Sequence, residues 1–354
     1  MACHRVASSH RLPGLKILLL KPSSLGDVVH ALPVLRLLRR HLPAARIDWW
    51  IDSRLAGLLE GDPHLTHLIR FERERWSRPR HWPEALRSLR DIRRTRYDWV
   101  IDLQALARSA AVAWFAGAEL TIGLEDLREG AATFYDLRIP RPTPRTHAVD
   151  WYLATLRALD IPVDGDFDWM PPRPEVAAGL EARWPGASAT WVGIQPGARW
   201  DTKRWPPTAF GDLIRELSHR HTDLRFAVFG SAGEQALAGE VCARGGDRCL
   251  NLAGQLSLAQ MVEWLRRCRL LVSNDTGPMH VAAALGKPVV ALFGPTDPLR
   301  TGPYGQQHLV LQERLPCVPC FRGHCTHPTP LACLHALTVG RVAQEVERRL
   351  GRGS

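Results

Sequence analysis

The sequence has no apolar run that approaches the length of a membrane span. The stretch LKILLL at residues 15–20 is cut off by Lys21, and it is also too short for a secretory signal core. Two nucleotide signatures are missing as well. No G-x-x-x-x-G-K-[ST] occurs, and no G-x-G-x-x-G follows the first apolar run, which counts against P-loop and dinucleotide-binding enzymes. Nothing in the composition suggests disorder, and no repeat is visible between the two halves. These absences point to a folded cytoplasmic protein, in which the eight cysteines would stay reduced. Residues 1–14 read as a loose tail ahead of the first strand.

At 354 residues there is chain enough for two domains, each with a full core. Forty-six Lys plus Arg against 36 Asp plus Glu leave a net charge of +10, which suits a nucleic acid, an acidic membrane surface or a phosphorylated substrate. A solvated basic surface accounts for the excess at least as well. Thirteen tryptophans fill cores and stack on sugars alike, so their number decides nothing.

Residues 16–20 predict a strand, KPSSLGD a polar loop, and residues 28–41 a helix. RIDWWI, HLIRF, WVIDLQ and TIG continue as strands with helices between them, residues 83–94 and 106–118 among these. Such alternation means a parallel sheet covered by helices. Residues 128–145, with three prolines and little periodicity, read as a loop, and 147–159 as a helix. The Pro-, Asp- and Gly-rich residues 161–174 predict a linker between an N-terminal domain, 15–160, and a C-terminal one, 175–337. In the second half TWVGIQPG, LRFAVFG, CLNLAG, LLVS and VVALFG read as strands. Residues 338–354 hold a basic amphipathic helix that could pack on either half, and a tail.

Five stretches carry candidate chemistry. KPSSLGD stands where open α/β sheets bind ligands, and Asp27 in it is either a helix-dipole carboxylate or a general base. From the residue alone the structural reading is the stronger; Ser24 and Gly26 beside it favour the functional one, because they allow close backbone approach. QPGARWDTKRWP occupies the matching position in the second half, with Gly197 for close approach and Arg199 and Lys203 as cations for phosphate oxygens. In FGSAGEQ, Glu234 caps a helix or accepts from ribose hydroxyls. NDTGPMH predicts a helix start aimed at an anion, with Asp275, Thr276, Gly277 and His280 as candidates, each of which also has a capping or packing reading. Cys317, Cys320, Cys325 and Cys333 are spaced C-x2-C-x4-C-x7-C with histidines nearby. This suits zinc, an iron–sulfur group or a reduced structural clip; a structural role is the stronger reading and metal occupancy stays open.

Four blocks in this order, KPSSLGDVVHALP, PGARWDTKRWP, SNDTGPMHVAAALGKPVVALFGPTDP and CVPCFRGHC with ACL, resemble the glycosyltransferase family that includes the lipopolysaccharide heptosyltransferases, glycosyltransferase family 9. The likeness covers nearly the whole chain. It implies an α/β protein of GT-B architecture, two Rossmann-like domains facing each other across a cleft. The donor, ADP-heptose, would bind the C-terminal domain. The acceptor, a Kdo or heptose unit of the lipid A inner core, would bind the N-terminal one, with Lys21, Ser24, Gly26 and Arg108 as candidate contacts. By the same resemblance Asp27 matches the family's proposed base, Lys203 its phosphate-binding lysine and Glu234 the acid near the ribose. Asp275, Thr276, Gly277 and His280 match the loop for donor phosphate and sugar, and Leu256 the apolar side chain against adenine. Where some members have hydroxyls before the lysine, this chain has Ala198 and Arg199.

The resemblance thus implies inverting glycosyl transfer with no metal required, by an enzyme resting on the cytoplasmic face of the inner membrane, with an anionic glycolipid rather than nucleic acid as partner. A transferase for another nucleotide sugar or acceptor is one alternative. A non-catalytic nucleotide- or metal-binding protein built around the cysteines is the other.

Overall fold

The computed structural model describes residues 14–126, 128–164, 168–185, 189–306 and 309–351. Most of the N-terminal tail, the middle of the expected linker and the last three residues of the C-terminal tail lie outside these. The chain divides into two compact units, Met1–Pro171 and Pro172–Ser354.

In the first unit the strands β1 (Lys16–Leu20), β2 (Arg46–Asp52), β3 (His67–Phe71), β4 (Trp99–Asp102), β5 (Leu120–Leu124) and β6 (Leu137–Ile139) form one parallel sheet in the order β3-β2-β1-β4-β5-β6. The helices α1 (Leu25–His41), α2 (Trp82–Thr95), α3 (Ala107–Ala116) and α4 (Ala148–Arg157) connect and cover it. Ile17 to Leu20 are wholly buried, as expected of a central strand covered on both faces. Register pairs Leu20, the last residue of β1, with Asp102, the last of β4, so these two strands end level and their following loops emerge side by side, while β2 runs two residues past Trp50, the partner of Leu20, to Asp52.

The second unit repeats the plan. β7 (Thr190–Gln195), β8 (Leu224–Val228), β9 (Cys249–Asn251), β10 (Leu270–Asn274), β11 (Val289–Phe293) and β12 (Val310–Gln312) form a second parallel sheet, ordered β12-β11-β10-β7-β8-β9. Counted from its own first strand this is the same 3-2-1-4-5-6 order, the doubly wound arrangement whose crevice opens between the first and fourth strands. Its helices include α5 (Pro174–Arg183), α6 (Pro207–Arg220), α7 (Gln235–Gly245), α8 (Leu258–Arg267), α9 (Gly277–Ala284) and α10 (Val339–Leu350). The choice left open for α10 falls to this unit: Val342, Ala343 and Val346 are wholly buried in its core with Phe210, Leu213 and Val272.

Two expectations need correction. Residues 128–145 are not only loop, since they contain a 3-10 turn at Arg128–Phe134 and the edge strand β6, paired to β5 through Ile122–Leu137, Gly123–Arg138 and Leu124–Ile139. A three-residue strand followed at once by Pro140 gives no readable alternation. Pro174–Arg183, to which the sequence reading assigned no element, is helical, with Pro174 at its first position. The helix expected from residue 28 begins at Leu25, which puts Asp27 in its first turn.

Candidate functional site

The first unit's crevice lies between the loops that leave β1 and β4. Lys21, 3% exposed, donates from Nζ to the Leu103 carbonyl at 2.8 Å and so ties the two loops together. The same ammonium stands 4.9 Å from the centre of the Tyr152 ring. The β4 loop is held from below by Asp102, which accepts from the Gln104 and Ala105 N–H groups at 2.8 and 3.1 Å and from the Tyr135 hydroxyl at 2.8 Å. Burial pushes the Asp102 carboxyl up from the usual carboxylate range.

Asp27 has both of the roles weighed for it open at once. Its Oδ2 accepts from the Ser24 N–H at 3.1 Å and the Ser24 hydroxyl at 2.6 Å, closing the first turn of α1. Its Oδ1 is approached by the Tyr152 hydroxyl at 3.4 Å. A carboxylate has four lone-pair sites, so the capping bonds leave capacity for a substrate hydroxyl. The half-buried Asp27 stands beside the exposed Ser24 and the buried Gly26. Lys21, Ser24, Asp27 and Tyr152 therefore form one group. Arg108, in the first turn of α3, is exposed and stacks instead on Phe71, 5.4 Å from the ring centre.

In the second unit the crevice lies between the loops after β7 and β10. A lysine joins them here too: Lys203 Nζ meets Asp275 Oδ2 at 2.6 Å, with Asp275 nearly buried. Thr296, after β11, donates to the same carboxylate oxygen at 2.7 Å. Asn274 adds a second link, donating to the Pro196 carbonyl at 2.7 Å and accepting from the Trp205 N–H at 3.0 Å. Lys203 also lies 5.0 Å from the centre of the Trp200 ring. Beyond Asp275, Thr276 is the N-cap of α9, Gly277 its first residue and Pro278 its second, where a missing N–H is harmless. Such a start presents N–H groups and the positive end of the helix dipole to an anion. His280 is buried one turn on.

Glu234 closes a turn as Asp27 does, accepting at Oε2 from the Ser231 N–H at 2.7 Å and hydroxyl at 2.9 Å. Its carboxylate lies against Gly197 so closely that a β-carbon there would collide with it. The glycine expected for close approach thus admits Glu234. Arg199 is exposed in the β7 loop and Leu256 half-buried before α8.

The four cysteines of the C-terminal segment line one cavity of about 250 Å³ together with Arg322 and His327. Burial, and then the neighbouring Cys317 and Cys325, push the Cys333 thiol up, while N–H groups of Leu331 and His327 lower that of Cys325. Among the described residues no three His, Cys, Asp or Glu side chains are gathered as a metal would need. The segment braces the lysine loop: the Thr202 hydroxyl donates to the Arg322 carbonyl at 2.9 Å.

Tyr152, Thr296 and Asn274 were not singled out from the sequence. Thr296 and Asn274 flank recognisable turn clusters, NDTGP and GPTDP, where polar side chains at strand ends were a usable signal. Tyr152 sits mid-helix in α4 and gave none.

Two doubly wound α/β units, one with a held carboxylate and one with a lysine beside a helix start, define a nucleotide-sugar enzyme of the GT-B class. The sequence profile of glycosyltransferase family 9 (heptosyltransferase) matches residues 85–329, and the chain belongs to that family. It is 33% identical to lipopolysaccharide heptosyltransferase 1 of Pseudomonas aeruginosa over 95% of this chain and 98% of that one. It is 29% identical to lipopolysaccharide heptosyltransferase 2 of Escherichia coli, over 84% and 88%. Among solved structures it resembles E. coli ADP-heptose LPS heptosyltransferase II, with a TM-score of 0.76 at 26% identity over 96% of this chain and 99% of that one. It also resembles E. coli heptosyltransferase WaaC with ADP, with a TM-score of 0.74 at 25% identity over 95% and 100%.

Proposed function

We propose that the protein moves a heptose from ADP-heptose to the inner core of lipopolysaccharide, with inversion at the anomeric carbon. The observation that carries this is the pairing of Lys203 with Asp275 at the start of α9, a cation and a helix N-terminus together, on a chain similar over nearly its whole length to named heptosyltransferases. In this reading the acceptor hydroxyl gives its proton to Asp27 as its oxygen bonds to the anomeric carbon. The bond from that carbon to the diphosphate breaks, and ADP leaves with the electron pair. Only interactions that strengthen as this charge develops speed the step. An ammonium has three N–H donors, one of them directed to Asp275, so a leaving diphosphate has Lys203 and the N–H groups of α9 to take its charge. Arg199 is a further cation for it. Glu234 would meet the ribose and Leu256 the adenine. Lys21 and Arg108 would meet the acid groups of the acceptor. Catalysis by this route requires no metal.

The acceptor in this reading is an anionic glycolipid, which places the enzyme in the cytoplasm against the inner membrane. Among the described residues no helix is long and apolar enough to cross a membrane, so contact would be peripheral. Kdo and core heptose are the two acceptor units that this reading allows. A thermal-shift panel of ADP-, UDP- and GDP-sugars, followed by turnover of ADP-heptose on acceptors ending in Kdo or in heptose, tests the proposal. Stabilisation by ADP-heptose and transfer to one acceptor is expected. Preference for a UDP- or GDP-sugar would overturn the donor, and no transfer to either acceptor would overturn the activity.

A further inference from the structure

Residues 73–96 contain nine arginines and three acidic residues, so more than half of the chain's net charge of +10 falls in this short stretch. Its second half is α2, which turns Ile92 into the core. The opposite side is not simply polar. Trp82 is 57% exposed and Leu86 50%, and with Arg90 and Arg93 they recur at i, i+4, i+8 and i+11, along one face. Arg93 carries the stripe onto α3 by donating to the Phe115 carbonyl at 3.2 Å. There Trp114, 66% exposed, Phe115 and Phe134 line a groove of about 540 Å³ with Arg93.

Single exposed apolar residues are ordinary, but five large ones joined by arginines form a contiguous patch, and such patches mark contact surfaces. Tryptophan and phenylalanine suit the boundary between headgroups and acyl chains, and arginine suits anionic headgroups. The nearby acids are few: Glu84, paired with Arg75 at 2.7 Å, Asp91, 3.8 Å from Arg94, the exposed Glu119, and Asp136 at the groove. We infer that the outer face of α2, with the C-terminal end of α3 and Phe134, is the surface by which this protein lies on an anionic phospholipid bilayer. The choice of a bilayer over another polyanion rests on the reading of the acceptor as a membrane glycolipid.

The test is co-sedimentation of the full-length protein with vesicles of phosphatidylcholine alone or mixed with phosphatidylglycerol, at low and high salt. Wild type should partition onto the anionic vesicles at least about ten-fold better and lose that advantage in high salt. At low salt Arg90→Glu with Arg94→Glu should lower partition by more than about ten-fold, whereas Trp114→Ser should lower it by roughly three- to ten-fold in both salts. These variants should keep the wild-type melting temperature and full turnover on a delipidated, water-soluble acceptor. Equal partition onto both kinds of vesicle, or unchanged partition in the variants, would overturn the inference. So would a concentration-dependent dimer in light scattering that Trp114→Ser abolishes, since the patch would then serve a second copy. Failure of turnover on the soluble acceptor would count against the transferase reading and leave the vesicle result standing.

Discussion

The two units share one strand order and one loop-bridging lysine, yet their loops add different charged groups beside it. In the first, the loop after the first strand leads straight into α1 and delivers a carboxylate, Asp27, while the helix after the fourth strand starts beside a cation, Arg108. In the second, the loop after the first strand delivers cations, Arg199 and Lys203, and the carboxylate, Asp275, precedes the helix after the fourth. The bridging lysines differ accordingly: Lys21 is bonded to a carbonyl, Lys203 to a carboxylate. One scaffold used twice can therefore supply a proton acceptor in one place and an anion site in another. The fold fixes where the groups stand, and the loop residues fix which charge stands there.

The sharpest way to break this comparison is to neutralise the first crevice. Asp27→Asn keeps the shape and a carbonyl oxygen to accept from Ser24, so α1 should still start correctly. A lost general base costs on the order of 10²- to 10⁴-fold. Turnover should fall by about that factor while ADP-heptose affinity measured by calorimetry stays within two- to three-fold. Near-normal turnover would reduce Asp27 to the helix cap that its bonds to Ser24 already make it.

Neutralising the second crevice should give the converse. Charge-assisted hydrogen bonds contribute about 1.5–3 kcal/mol, so Lys203→Ala should weaken ADP binding by roughly ten- to a hundred-fold. Adenosine, which has no phosphates, should bind as before. Equal losses for the two ligands would remove Lys203 from the phosphate site and leave it as a brace for Asp275.

How much of this was legible differs between fold and site. The central strands were read nearly to the residue, because runs such as ILLL in β1 and VVALF in β11 are covered on both faces and stay continuously apolar. The short edge strands β6 and β12 were not, since three residues cannot establish a period. At the site, residues on strand-end loops could be named because glycine, proline and capping side chains mark those loops. What the sequence left hidden is pairing. That Lys203 meets Asp275, or that Gly197 makes room for Glu234, depends on strand order, which brings distant loops together and has no local signature. The carboxylates Asp27 and Glu234 also looked like alternatives between cap and function. Each makes its turn bonds through one carboxylate oxygen, so closing a turn and a further role are not exclusive.

Tyr152 is the residue in which this lesson is most exposed to test, and the expected effect is the smallest. It is buried at 4% exposure in α4, its ring beneath the Lys21 ammonium and its hydroxyl 3.4 Å from the Asp27 oxygen that the cap does not use. At that length the hydrogen bond is at the weak end of the range, so removing it should cost about 0.5–1.5 kcal/mol at most. A donor to a carboxylate favours its ionised form, and a base must be ionised to act. Tyr152→Phe should accordingly lower kcat by roughly two- to ten-fold and move the acid limb of the pH–rate profile to higher pH, with KM for ADP-heptose unchanged. The phenylalanine keeps the ring under Lys21, so a purely packing role predicts no change in the profile. A loss of rate that is uniform across pH would mean that Tyr152 shapes the crevice through Lys21, and that the second oxygen of Asp27 works without its help.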